Sequence, residues 1–146
     1  MELTSLFVTI AGFIIGLGAV TVIDLHGFFA RKSSYWTEAT IRTHKITKPL
    51  IWIGIILVAI GNFLFGVNDF ISSADFAFRF VIIFLLILNG SFLSFVISPE
   101  LLKREKEGRA SEILPKEMQN KIMISFFVSI FLWWGFLLYF LNFLIK

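Results

Sequence analysis

Four stretches of the chain are each long and apolar enough to cross a lipid bilayer, and this limits the fold more than any other feature. A helix rising about 1.5 Å per residue needs ~20 apolar residues to span the hydrocarbon core. The stretches run from about Leu3 to Phe29, Pro49 to Val67, Phe76 to Ile97 and Ile122 to Ile145. Within lipid, backbone polar groups must be satisfied inside the segment, so each stretch reads as a helix. The expected fold is all-α, an integral membrane four-helix bundle formed by one domain over residues 1–146. Composition agrees. Only 16% of residues are charged, against ~25% in soluble domains, and mean hydropathy is +0.88. The first stretch reads as a span rather than a cleavable signal, because no basic residue precedes it and its apolar run is too long.

Orientation follows from the basic residues. The loop at about 30–48 carries Arg31, Lys32, Arg42, Lys45 and Lys48. The loop at about 98–121 carries Lys103, Arg104, Lys106, Arg109, Lys116 and Lys121. Only Arg79 and Lys146 of the 13 basic residues remain for the other side. This places both loops in the cytoplasm and both termini outside, in the cell (inner) membrane. The basic residues are interleaved with acids and split between two short loops, a pattern that does not point to nucleic acid. The lipid bilayer is the expected partner.

Both cytoplasmic loops carry helix signals. Ser33 or Ser34 can cap a helix, and Trp36, Ala39 or Thr40, Thr43 and Thr47 recur at helical spacing. Residues 35–47 therefore read as an additional interfacial helix, with Pro49 kinking it into the second span or separating the two. Ser98-Pro99-Glu100 reads as a second helix start, with Gly108 as its stop. The short external loop, roughly 68–74, carries Asp69, with Asp75 just beyond it.

Packing between helices in lipid relies on small residues and a few hydrogen bonds. Gly12 and Gly16 in the first span, with Gly54 and Gly61 in the second, meet that need. Asn62, Asn89, Ser91 and Ser94 supply the polar interior. Asn89, near mid-bilayer, is expected to face the bundle as interhelical glue.

The candidate chemistry sits at the cytoplasmic end. Asp24 and His26 close the first span and point to different helix faces. Asp24 reads either as an ion pair with Arg31, Arg42, Lys45 or Lys48, or as a functional carboxylate. His44, the only other histidine, lies at the start of the second span, on the same side as Glu38. Imidazole and carboxylate together suit a divalent metal bound by Asp24, His26, Glu38 and His44; two imidazoles suit haem b held by His26 and His44. Histidines that only hydrogen-bond remain the alternative. With no cysteine, disulfides, thiolate metal sites and iron–sulfur clusters are excluded. No G-x-S-x-G or phosphate-binding loop is present, and HExxH is absent.

Several short segments together resemble a group of small, uncharacterised four-span prokaryotic membrane proteins. They are Gly16-Leu17-Gly18-Ala19 with Asp24, Glu38, Ile51-Trp52-Ile53-Gly54 with Gly61 and Leu64-Phe65, Asn89-Gly90 with Ser98-Pro99 and Leu101, and Ser129 with Trp133-Trp134. That group is distantly similar to four-helix membrane proteins of the CopD and HemJ type, and the resemblance implies copper, haem or porphyrin chemistry. The position of the histidine that usually opens their first span corresponds here to about Thr9, which leaves His26 and His44 as the imidazole candidates. Three functions stand open: a haem- or metal-binding redox site, a small homo-oligomeric transporter or channel with Asp24 as its gate, and an accessory subunit contacting partner helices through the first-span glycines. Whether the chain is an enzyme stays open with them.

Overall fold

The structure, a computed structural model, describes residues 3–67 and 72–145; the external-loop residue Asp69 lies outside the described residues. Among the described residues five helices follow one another: α1 (Leu3–Ala30), α2 (Ser34–Val67), α3 (Ser73–Phe92), α4 (Ser98–Lys106) and α5 (Lys116–Ile145). A π-helical turn, Leu93–Ile97, joins α3 to α4 without a break. α1, α2, α5 and the continuous α3–α4 rod are each long and apolar enough to span a bilayer. Their outward faces carry large apolar side chains such as Phe7, Ile14, Phe84, Phe131 and Leu138, as lipid contact requires.

The additional interfacial helix does not form as a separate element. Residues 35–47 are the first turns of α2, which runs through Pro49 unbroken. The threonines explain how a polar segment continues an apolar helix. Thr40 and Thr47 turn their hydroxyls back onto the carbonyls of Trp36 and Thr43, at 2.7 and 3.1 Å, so they can be buried with no other partner. Thr37 donates to Ala30 O (3.0 Å) and Ser33 O (2.9 Å), tying the end of α1 to the start of α2. Ser33 Oγ accepts from Trp36 N as the cap.

α4 does begin at Ser98, with Pro99 in its first turn, but Ser98 makes no side-chain cap, because the π turn runs straight into it. Ser98 is itself helical, and its N–H reaches back to Leu93 O, five residues earlier. Pro99 cannot donate to the carbonyl four residues before it, and the wide turn gives its ring room. α4 does stop at Gly108, which takes φ 71° and lets Arg109 N close on Arg104 O at 2.8 Å.

α2 is 34 residues long, or roughly 50 Å, and therefore overhangs a ~30 Å hydrocarbon core. Its overhang packs against α4 and the following loop around Ile41, Ile97, Leu101 and Leu114. This small second core caps one end of the bundle. The main core lies below it, where Phe13, Val58, Phe65, Trp133, Phe136 and Phe140 interlock.

α1 and α2 cross closely on their glycines. A Cβ added at Gly12 would lie 2.7 Å from Val58 N and 2.9 Å from Gly54 O; one at Gly54 would strike the backbone of Gly16; one at Gly61 would strike Thr9. Gly12 and Gly16 are therefore used inside the bundle, Gly16 against Trp133. They are not free to contact a partner helix, whereas Gly18, the next first-span glycine, is exposed with open space around it.

Two polar clusters fasten the other helices. Asn89 Nδ2 donates to Ser129 Oγ (2.8 Å) and its Oδ1 accepts from Ser125 Oγ (2.8 Å), joining α3 to α5 as interhelical glue. Asn89→Leu is expected to cost about 1 kcal/mol of stability, read as a lower midpoint of detergent-induced unfolding; an unchanged midpoint would show these bonds to be dispensable. At the uncapped end, Arg79 is fully buried and donates from Nη1 to Asn62 Oδ1 at 2.9 Å. Its guanidinium carbon lies 4.1 Å from the Phe143 ring centroid and 5.6–5.8 Å from those of Phe65, Tyr139 and Phe140. Tyr139 in turn donates its hydroxyl proton to Asp75. Arg79, expected as a flanking cation, is instead part of the bundle interior.

Candidate functional site

Where α1, α2 and the π turn converge beneath the cap they line a partly open cavity of about 60 Å³. Each element contributes one helical face. α1 brings Asp24 and Gly27. α2 brings Thr40, His44, Lys48 and Trp52, spaced four residues apart and therefore stacked along one side of the helix. The π turn brings Leu93, Ser94 and Ile97, and Leu101 and Ile122 close the walls. Gly27 keeps the α1 wall flat: a Cβ there would press on Ile122 at 3.3 Å.

Asp24 is 9% exposed, and its Oδ2 is buried without a hydrogen-bond partner. The expected ion pair does not form. Among the described residues Arg42 pairs with Glu38 (2.5 Å) and Lys45 with Glu105 (2.7 Å), both on the outside of the cap. Arg31 lies over the Phe28 ring instead, at 5.9 Å. Lys48 shares the cavity with Asp24 but turns its ammonium towards Ser94 O (3.5 Å) and Ser98 Oγ (3.4 Å), and no salt bridge joins the two. His44 adds a second unsatisfied atom, a buried Nε2 with no partner. Trp52 Nε1 donates to Ser94 Oγ at 3.1 Å and fixes that wall. The site is thus a mostly apolar cell holding one carboxylate, one ammonium and one imidazole, none of them ion-paired.

Of the residues singled out from sequence, Asp24, His44 and Ser94 meet here. His26 does not line the cavity: its ring packs on Trp36 with centroids 5.1 Å apart. Glu38 is turned to its surface pair with Arg42. Asn62 and Asn89 are committed to Arg79 and to Ser125 and Ser129, and Ser91 is not on the cavity wall. No group of three or more His, Asp or Glu side chains able to hold a metal ion occurs among the described residues. His44 lines the cavity and His26 does not, so the cavity does not bring the two imidazoles together. A divalent metal would find Asp24 and His44 but also the Lys48 ammonium. From sequence Lys48 reads only as one of four possible ion-pair partners of Asp24 and Trp52 only as part of a resembling segment, although their four-residue spacing from Thr40 and His44 is plain in it.

The chain matches no protein-family model, no curated protein and no solved structure. The function rests on the site itself.

Proposed function

We propose that the chain is a multi-pass protein of the cell (inner) membrane that binds a small polar ligand in this cavity, with Asp24 as its anchor. The capped end lies in the cytoplasm and both termini lie outside, because eleven of the 13 basic residues belong to the two segments that build the cap and its approaches. The observation that carries the binding function is the Asp24 carboxyl group, buried with no ion pair and one oxygen unbonded. An unsatisfied buried polar group costs about 1–3 kcal/mol, more when charged, and ionisable groups within membrane proteins mark sites. About 60 Å³ holds on the order of four waters, or a ligand with a few heavy atoms.

The test is a thermal melt of detergent-purified protein titrated at fixed pH and ionic strength with methylammonium, glycine and acetate. At least one of them raises the melting temperature by mass action. Asp24→Asn, which removes a charge-assisted hydrogen bond of ~1.5–3 kcal/mol, weakens that effect about tenfold or more. An Asn variant that responds like the original protein would remove Asp24 as the anchor. A wild-type protein indifferent to all three compounds would sink the binding function.

A further inference from the structure

We infer that the ligand is a small zwitterion, an amino acid of glycine or alanine size, held with its ammonium at Asp24 and its carboxylate at Lys48; this rests on the cavity being a binding site. Asp24 and Lys48 face one small, mostly apolar space, one an acid and the other a base, and are not bonded to each other. A bound ammonium ionises Asp24, and the two residues together then leave the site electrically neutral. A lone cation would satisfy Asp24 and leave the Lys48 ammonium facing like charge in a region of low dielectric. A lone anion would pair with Lys48 and give Asp24 no ammonium to bond. The first leaves an uncompensated charge in a mostly apolar space, which is unfavourable, and the second leaves the Asp24 acid without a charged partner. A molecule with both charges a short distance apart compensates the two residues at once and adds no net charge.

Three further observations fit this occupant. Both contacts of the Lys48 ammonium, at 3.4 and 3.5 Å, are long for charge-assisted bonds, so it has donor capacity left for a carboxylate. The His44 Nε2 is buried on the same wall with no partner and can share the bound ligand's polar end. The remaining walls, Ile51, Leu93, Ile97 and Ile122, are aliphatic and suit a Cα hydrogen or a methyl side chain rather than a longer polar one.

The experiment measures affinity by isothermal titration of the full chain in mild detergent with glycine, and with methylammonium and acetate as its separate halves. Glycine is expected to bind at least tenfold more tightly than either half. Asp24→Asn and Lys48→Met should each weaken glycine at least tenfold. Lys48→Met should also strengthen methylammonium, because the repelling charge has gone. Methylammonium binding as tightly as glycine, or glycine binding untouched by Lys48→Met, would overturn the zwitterion while leaving the cavity a binding site. Binding of none of the three would overturn both. A measurement on the unmodified chain stands beside these should a variant not fold: labelling of Asp24 by a hydrophobic carbodiimide, located by peptide mass spectrometry. Glycine should slow that labelling at least tenfold more than methylammonium or acetate does at equal concentration, and equal protection by methylammonium would again overturn the zwitterion.

Discussion

Gly54→Val is expected to leave little folded bundle: the loss should be about 3 kcal/mol or more, at the upper end of what overpacking costs. A side chain at Gly54 meets not a flexible neighbour but the backbone of Gly16, with Gly12 O 3.0 Å from the added Cβ. Backbone cannot rotate away, so α1 and α2 must separate, and with them the packing of Gly16 on Trp133 and of Gly61 on Thr9. The measurement is denaturing-detergent unfolding followed by circular dichroism, with Gly18→Ala as its control. Gly18 has open space around it, so its alanine variant should stay within about 0.5 kcal/mol of the original. Equal midpoints for Gly54→Val and Gly18→Ala would mean that α1 and α2 do not cross where described.

Arg79→Ala is expected to be almost as damaging, at roughly 3–5 kcal/mol. The substitution empties a cage formed by Phe65, Tyr139, Phe140 and Phe143 and leaves Asn62 Oδ1 without its donor. Arg79→Met separates the two effects. It refills the cage without a charge, and since replacing buried ions by apolar groups of similar size is often neutral, it should recover most of the loss. If Arg79→Met is as unstable as Arg79→Ala, the cation itself holds the helices together through the aromatic faces. If neither variant loses stability, Arg79 is not part of the interior at all.

How much of this was readable beforehand differs between fold and site. The four spans were legible because their signal is length and apolarity, which no tertiary contact overrides. The α1–α2 crossing was legible too, since only small residues permit it and Gly12, Gly16, Gly54 and Gly61 stand at suitable intervals. The interfacial helix failed because Pro49 reads as a boundary, whereas here it lies inside α2. Ser98-Pro99 did mark where α4 starts, but Ser98 does not act as a cap: the preceding turn widens and carries the helix through. Asp24 and His44 were visible as ionisable groups at one end of the bundle. Their separation from His26 was half visible, since residues 24 and 26 cannot share a helix face. What stayed hidden was Arg79. A cation near a helix end ordinarily marks the membrane surface, and its burial depends on aromatic rings supplied by two other helices.

The turn Leu93–Ile97 holds one residue more than an α-helical turn would. In a regular helix each residue advances the side chains by about 100°, so the extra residue acts as a phase shifter between the two halves of a continuous rod. Below it, α3 presents Leu86 and Asn89 to the bundle; above it, α4 presents Leu101 and Arg104 to the cap. Deleting one residue from the turn would restore regular register and swing the whole upper half by roughly a quarter of a revolution. Leu101 would leave the cavity wall and Ser98 would turn away from Lys48. The angular setting of the roof over Asp24 is thus encoded in a single surplus residue, and the rod needs no loop to aim its two ends at different neighbours.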